Sequence, residues 1–285
     1  MVAQEQVEVV PPWPERESRW EFAMGMFTPA YYGRIGLAMM GEMGRIALFA
    51  GGALTKMLLP PWNFRRILRE IHFIGVKSVF VVALTGLFTG MVLGLQLYYV
   101  LVRLGSETVL GVAVALSLIR ELGPVLTALM VTGRAGSSLA AELGIMRISE
   151  QIDALDTMNI DPVKFLVCPK LAASIICFPL LTAICDVVGI IGGYLTGVVL
   201  LGVNSGIYFY RIQSSVELKD VTDGFIKAIV FAVIVSTISC YQGYFTHTRT
   251  DSHGAKAVGL STTSAVVLSC VLILVADYVV TSILI

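Results

Sequence analysis

Charged residues are scarce in this sequence. Only 14% of its 285 residues are Asp, Glu, Lys or Arg, compared with roughly 25% in an average soluble domain. Apolar side chains make up 56% of the chain, and the mean hydropathy is +0.82. This composition is typical of an integral membrane protein. The formal net charge is zero, which gives no reason to expect a nucleic-acid partner.

The sequence also lacks the motifs of common catalytic and metal-binding sites. It contains no G-x-x-x-x-G-K-[ST] phosphate loop, so we expect no ATP hydrolysis and no bound cofactor in this chain. The five cysteines lie in apolar segments without C-x-x-C spacing, and the three histidines are not spaced as ligands of one metal ion, so no metal site is predicted. We therefore expect a chain without catalytic residues.

The first 75 residues differ from the rest of the chain. Residues 1–30 combine prolines with charges and have no sustained apolar period, which predicts a disordered cytoplasmic tail rather than a cleaved signal. In residues 31–75, charges interrupt the apolar pattern. This is typical of amphipathic helices that lie at the membrane interface.

Residues 76–285 are predicted to form an all-α transmembrane domain. A helix needs about 20 apolar residues to cross a bilayer, and five segments meet that length: about 76–102, 108–133, 165–201, 221–245 and 258–285. With a cytoplasmic N-terminus, ten basic residues flank the spans on the inner side and three on the outer side. The positive-inside rule therefore favours that orientation, with the C-terminus on the far side.

Several charges fall inside the predicted spans. Arg120 and Glu121 lie near the middle of the second span, where a charge costs at least about 2.5–3.5 kcal/mol. Adjacent helical residues point about 100° apart, so each should face its own polar neighbour, and Asp186 is a candidate partner for Arg120. The Gly123-Pro124 pair that follows predicts a break in the helix. Three further intramembrane charges are candidates either for structural ion pairs or for function: Asp186, Lys227 and Asp277.

Two spans carry glycines at every fourth position. These ladders are Gly86, Gly90 and Gly94 in the first span, and Gly189, Gly193 and Gly197 in the third. Each ladder leaves one helix face nearly bare, so another helix can approach closely. We interpret the ladders as packing surfaces within the bundle or its dimer.

The segment from Arg134 to Lys164 is the largest predicted inner loop. Its apolar residues recur at helical spacing, which predicts an amphipathic cytoplasmic helix. The segment contains five acidic and three basic residues. Anionic lipid headgroups attract basic segments rather than acidic ones, so a protein partner explains this helix better than the membrane surface does.

The motifs in these segments resemble those of the MlaE/YrbE family, the permeases of MCE-linked lipid ABC transporters. The resemblance covers roughly residues 62–285. It is carried by LFTGMVLGLQ in the first span and by four shorter motifs: R-E-L-G-P (120–124), G-R-A-G-S (133–137), A-E-L-G (141–144) and E-Q-I-D-A-L (150–155).

The resemblance implies a homodimeric permease in the bacterial inner membrane that carries phospholipid or a related lipid. It further implies a cytoplasmic ATPase of the MlaF type, which binds the ATP, and a periplasmic MCE protein of the MlaD type. A STAS-domain protein of the MlaB type is a further candidate partner. The resemblance also implies that residues 133–155 form the coupling helix. The candidate contacts to the ATPase are Arg134, Glu142, Arg147, Glu150, Gln151 and Asp153.

A lipid permease needs a cavity that accepts both apolar tails and a polar headgroup. The candidate lining residues are Leu97, Tyr98, Arg120 and Glu121. The alternative is a membrane scaffold that recruits a cytoplasmic partner and transports nothing. An intramembrane lipid-modifying enzyme is a third and more distant alternative.

Overall fold

The computed structural model describes residues 29–59, 63–248 and 254–284. Every regular element within these ranges is a helix. The prediction of a disordered cytoplasmic tail falls almost entirely on residues 1–28, which lie outside the described residues. The chain divides into two compact units, one that ends at Leu48 and one that begins at Phe49.

Two helices come first in the described part of the chain, and the second of them begins the first long helical segment, Phe64–Arg103. They are α1 (Pro29–Leu58) and α2 (Phe64–Ile74). In the second unit, the ring of Phe49 packs edge to face against Tyr241, with centroids 5.7 Å apart. The location of α1 and α2 at a membrane interface stays a prediction.

In the part of the chain that the structure describes, five helical segments are long and apolar enough to cross a membrane, which confirms the all-α class with five spans. Spans 1 to 5 are Phe64–Arg103, Glu107–Ile148, Val163–Leu200, Leu218–Tyr244 and Ala255–Leu284. The remaining α-helices are α3 (Val79–Arg103), α4 (Leu110–Ser117), α5 (Gly123–Val131), α6 (Ser137–Ile148), α7 (Gln151–Thr157), α8 (Cys168–Tyr194), α9 (Ser205–Ser215), α10 (Leu218–Tyr244) and α11 (Ala255–Leu284).

Short connections make successive spans antiparallel. The end of span 2, the start of span 3, the end of span 4 and the start of span 5 therefore lie at the end of the bundle that carries α7. The opposite ends of these spans lie beside α9. We call these two ends the α7 end and the α9 end.

Spans 2 and 3 are interrupted by π turns rather than by breaks. These turns are Leu118–Leu122, Thr132–Gly136, Val163–Val167 and Leu195–Leu200. The predicted break at Gly123-Pro124 is wrong, because the helix continues through both residues. In the π turn just before them, the N–H of Gly123 donates to the carbonyl oxygen of Leu118, five residues earlier. This turn accommodates the proline within a continuous span.

The predicted amphipathic cytoplasmic helix is also corrected. Span 2 continues to Ile148, so the first half of that segment is α6, and only the seven-residue α7 is separate from the span. Glu150 divides them because it adopts a left-handed backbone conformation with φ 59°, which an α-helix cannot include. Asn159, with φ 58°, follows the C-terminal end of α7.

The two glycine ladders lie against each other where α3 packs on α8. A methyl group at Gly90 would lie 1.8 Å from the carbonyl oxygen of Gly189, and one at Gly86 would lie 2.6 Å from that of Cys185. Gly94 approaches the Gly193 backbone in the same way. Gly197 lies apart from α3, because its nearest neighbour is the side chain of Leu110 in α4. Glycine is therefore what allows these backbones to touch.

Helix α9 is anchored to the α9 end of the bundle. The side chain of Asn204 caps its N-terminus by accepting hydrogen bonds from the N–H groups of Gly206 and Ile207 at 2.9 and 3.2 Å. Tyr208 points inward and donates to the carbonyl oxygen of Ile190 at 3.2 Å. Burial raises the pKa of Tyr208 to about 12, so this hydroxyl remains a donor at neutral pH.

Candidate transport and coupling sites

Arg120 and Glu121 lie in the first π turn of span 2 and face different partners. Arg120 pairs with Asp220 of α10: its Nε donates to Oδ1 at 2.8 Å, and its Nη2 lies 2.6 Å from the same oxygen. The side chain of Asp220 is 4% exposed and that of Arg120 is 57% exposed. The other oxygen of Asp220 accepts from the N–H of Glu217 at 3.0 Å. The pairing of Arg120 with Asp186 that the sequence suggested is therefore wrong.

Glu121 belongs to a second ion cluster that joins spans 2, 4 and 5. Lys227 Nζ lies 2.6 Å from Glu121 Oε2 and 3.4 Å from Asp277 Oδ1. The Lys227 side chain is 3% exposed, whereas that of Glu121 is 43% exposed. Thr281 of α11 also approaches both carboxylate oxygens of Glu121 at 3.5 Å. A buried ammonium is stable only with such partners.

Lys227 also compensates for the proline in span 2. Pro124 has no N–H, so it cannot donate to the carbonyl oxygen of Arg120, its acceptor in a regular α-helix. Lys227 Nζ donates to that oxygen at 2.8 Å. The Gly-Pro pair and the neighbouring charges therefore belong to one hydrogen-bonded site. In it, the Lys227 side chain from span 4 donates to the carbonyl oxygen that the proline leaves without a donor.

Asp186 is separate from both ion clusters. Its Oδ1 is buried and accepts no hydrogen bond from any residue that the structure describes. A methyl group at Gly123 would lie 1.8 Å from this oxygen. Gly123 therefore leaves room for the Asp186 side chain where spans 2 and 3 pack together.

Leu97 and Tyr98 lie in the C-terminal part of α3. Both are partly buried and pack against a core of Leu110, Val114 and Leu118. They therefore contribute apolar surface where α3 packs against α4.

At the α7 end, Arg147 holds α6 to α7 and to the start of the connection to span 5. Its Nη1 donates to Asp153 Oδ1 at 2.7 Å, and its Nε donates to His247 Nδ1 at 2.9 Å. Its guanidinium also lies 5.5 Å from the ring centroid of Tyr244. Burial and the nearby Arg147 charge lower the pKa of His247, so its imidazole stays neutral and can accept this hydrogen bond.

The other predicted coupling residues divide into two groups. Glu150, Gln151 and Asp153 are exposed on the connection and on α7, while Ile152 between them is fully buried. Arg134 instead points toward α2, where it donates to the hydroxyl of Ser78 at 2.8 Å and to the carbonyl oxygen of Phe73.

Glu142 belongs to a cluster around a buried lysine that the sequence did not reveal. Lys170 of α8, 2% exposed, lies 2.7 Å from Glu142 Oε2 and 3.1 Å from Glu70 Oε1 of α2. It therefore ties the ends of three spans together. Lys170 was counted only as a flanking basic residue, because a pattern search cannot tell a buried lysine from one at the surface.

Asp220 was missed for a related reason. It lies one residue before the predicted start of span 4, at about residue 221. The available signal was the capping box, in which Glu217 and Asp220 each accept from the other's backbone N–H. That pattern of acidic residues three apart marks a helix start. No group of three or more His, Cys, Asp or Glu residues in the described ranges could hold a metal ion.

Comparison with known proteins agrees with this architecture. The family described as Permease MlaE matches residues 67–283. A probable ABC transporter permease protein of Rickettsia bellii is 46% identical over 249 residues, which covers 87% of this chain and 94% of the relative. The Haemophilus influenzae protein named "Intermembrane phospholipid transport system permease protein MlaE" is 41% identical over 243 residues, with 85% and 91% coverage.

A more distant relative comes from a plant. The chloroplast protein TRIGALACTOSYLDIACYLGLYCEROL 1 of Arabidopsis thaliana is 38% identical over 237 residues, which covers 83% of this chain and 66% of the relative. The five spans and these matches define a multi-pass membrane permease. The chain belongs to the MlaE permease family.

Proposed function

We propose that this chain is the membrane permease of an ABC transporter that moves phospholipid or a related lipid between the inner membrane and a periplasmic MCE protein of the MlaD type. The name of the Haemophilus relative, which describes intermembrane phospholipid transport, supports the cargo. The observation that carries the proposal is the pair of ion clusters within the spans. Each combines a buried charge with a partly exposed one.

This asymmetry suits a passage for an amphipathic molecule. Asp220 and Lys227 are buried and hold their partners in place, while Arg120 and Glu121 keep an exposed surface. The exposed guanidinium of Arg120 can meet a headgroup phosphate, and the carboxylate of Glu121 favours release of an anionic headgroup. In this proposal Leu97 and Tyr98 line the apolar part, and a second copy of the chain completes the cavity.

ATP hydrolysis belongs to a separate chain in this proposal. The sequence has no phosphate loop, and the excess of basic residues favours a cytoplasmic location for the α7 end. The exposed acidic residues on and beside α7 then face a cytoplasmic ATPase of the MlaF type. A pocket of about 430 Å³ beside α7, lined by Asp156, Asn159 and Tyr244 among others, offers a concave surface for the same partner.

The experiment that tests this function uses Glu121→Gln, which removes the charge but keeps the shape. Glu121→Lys is less informative, because it would place a second cation beside Lys227, 2.6 Å from the present carboxylate. We expect the assembled Glu121→Gln complex to transport lipid between reconstituted vesicles and an MCE acceptor at least about tenfold more slowly than wild type. A loss of about 1.4 kcal/mol of stabilisation gives that factor.

The matched control is Glu107→Gln, which makes the same change at an exposed site at the α9 end of span 2. It should transport at the wild-type rate. Wild-type transport by an assembled Glu121→Gln complex would show that the charge is structural only. A wild-type complex that moves no lipid in the presence of ATP would favour the scaffold alternative.

A further inference from the structure

A second cavity lies at the α7 end, away from the ion clusters within the spans. It is a groove of about 680 Å³ between the C-terminal end of α1, helix α2 and the first turns of span 3. This volume is within the range of about 300–1,000 Å³ that small-molecule sites occupy. Its walls are mainly apolar and include Met57, Phe64, Ile67, Ile71, Ala172 and Ile176.

The polar residues of the groove carry a net positive charge. Three cations line it, Lys56, Arg66 and Lys164, with Asp161 as the single carboxylate. Lys56 and Asp161 form an ion pair. Burial alone would raise the pKa of Asp161, but hydrogen bonds from Lys56 and from backbone N–H groups outweigh it and lower this pKa. The carboxylate is therefore ionised and balances Lys56, and Arg66 adds a further cation to the lining of the groove.

Arg66 is held in place by neutral groups. Its guanidinium carbon lies 3.3 Å from the ring centroid of Phe165, and its Nη1 donates to the carbonyl oxygen of Phe165 at 3.2 Å. Stacking on a ring and bonding to a carbonyl orient the guanidinium without neutralising it. The planar fork that remains matches the geometry of a phosphate group.

The dimensions of the groove match one leaflet of a bilayer. From Phe165 to Ile176 the helix rises by about 16 Å at 1.5 Å per residue. Half of the ~30 Å hydrocarbon core is about 15 Å. A phosphate at Arg66 would therefore leave room for an acyl chain to extend along the apolar wall as far as Ile176, near the depth of the bilayer centre.

We propose that this groove binds an anionic glycerophospholipid of the surrounding bilayer, with its phosphate at Arg66 and one acyl chain along the wall formed by Ile67, Ala172 and Ile176. This lipid is a bound component that links α1, α2 and span 3, and it is distinct from the transported molecule. The proposal depends only on the groove and on the membrane location of the chain, so it stands or falls separately from the transport function.

The test is photocrosslinking in vesicles of phosphatidylcholine that contain a phosphatidylglycerol probe with a diazirine in its acyl chain. Labelled peptides of the full-length protein are identified by mass spectrometry. We expect labelling in α2 and in the first turns of α8. Arg66→Gln should reduce this labelling about fivefold, which is the factor expected for one basic residue at a membrane surface.

Arg65→Gln is the matched control, because it removes the same charge from the adjacent position, which is exposed and does not line the groove. It should label like wild type. A second variant, Ala172→Phe, fills the groove without changing charge and should reduce labelling of α2 to a similar extent. Ala172→Phe therefore tests the site even if the Arg66→Gln variant does not fold.

Two results would overturn the proposal. One is equal labelling of the groove by phosphatidylglycerol and phosphatidylcholine probes, which would indicate ordinary contact with bulk lipid. The other is wild-type labelling in both Arg66→Gln and Ala172→Phe. Glu121→Gln should leave the labelling of the groove unchanged. The labelling experiment and the transport assay can therefore fail independently of each other.

Discussion

At the scale of single residues, Lys227 makes the most demanding set of contacts within the spans. It donates to Glu121 and to the carbonyl oxygen of Arg120, and it forms an ion pair with Asp277. Without the ammonium, two carboxylates and a carbonyl oxygen would lose the cation that they share. Removing one partner of a buried pair costs more than removing the whole pair, because the remaining charge has no compensation.

Lys227→Met should therefore destabilise the protein by about 3–5 kcal/mol. The thermal unfolding temperature of the detergent-purified protein measures this effect. The triple variant Lys227→Met, Glu121→Gln, Asp277→Asn should recover much of the loss, since no unpaired charge remains. Lys219→Met, at an exposed position on the same helix, should unfold like wild type. A triple variant less stable than Lys227→Met would contradict this account.

The sequence predicted the charged residues better than their partners. Arg120, Glu121, Lys227 and Asp277 are visible because a charge within an apolar run is a local signal. Their pairing is not local: about 100 residues separate Arg120 from Asp220, and the register of two helices follows from packing along their whole length. The wrong assignment of Asp186 to Arg120 has this cause.

At the scale of helices, the contact between α3 and α8 depends on backbone touching backbone. At Gly90 the obstacle to a side chain is the main chain of Gly189, and main chain cannot rotate away as the end of a flexible side chain can. The whole helix would have to move. The ladders were visible in the sequence as a four-residue period, whereas their mutual contact required the structure.

Gly90→Ala should consequently destabilise the fold by at least the ~1–3 kcal/mol typical of overpacked cores. The same unfolding assay, together with the fraction of monodisperse protein in detergent, would measure this loss. Gly133→Ala is the control, because a methyl group there meets nothing within 4 Å. Equal unfolding temperatures for the two alanine variants would contradict the close contact.

Helix α7 gives a second prediction at this scale. Glu150 is exposed beside it, whereas Asp153 pairs with Arg147. A charge reversal at Glu150 therefore tests partner binding without disturbing that ion pair. Glu150→Lys should weaken co-purification of the ATPase severalfold while membrane insertion stays normal. Glu107→Lys makes the same reversal at the α9 end and should retain the ATPase. Full retention by Glu150→Lys would remove this residue from the proposed interface.

At the scale of the whole molecule, the five spans were predictable because bilayer thickness imposes a length and a composition on each one. The ends of span 2 were not predictable from hydropathy alone. The helix extends beyond the apolar segment to Ile148, since polar residues such as Arg134 and Glu142 find partners on α2 and α8 and keep the helix within the bundle.

The orientation of the molecule can be tested with single cysteines. An impermeant maleimide added to intact cells should label Ser205→Cys at the start of α9, and should not label Thr157→Cys at the end of α7. Background from the native protein should be low, because Cys168, Cys177, Cys185 and Cys240 are buried and Cys270 is partly buried. The reverse pattern would place the α7 end outside and exclude its contact with a cytoplasmic ATPase.

The π turn at Leu118–Leu122 has a consequence for comparing this chain with its relatives. A π turn holds one residue more than the α-helical turn it replaces, and one residue corresponds to about 100° of rotation around the helix axis. A relative with a single deletion in this turn would keep the sequence of span 2 but turn everything after it by that angle. Gly123 would then no longer face Asp186, so residue counts in this turn matter as much as residue identities.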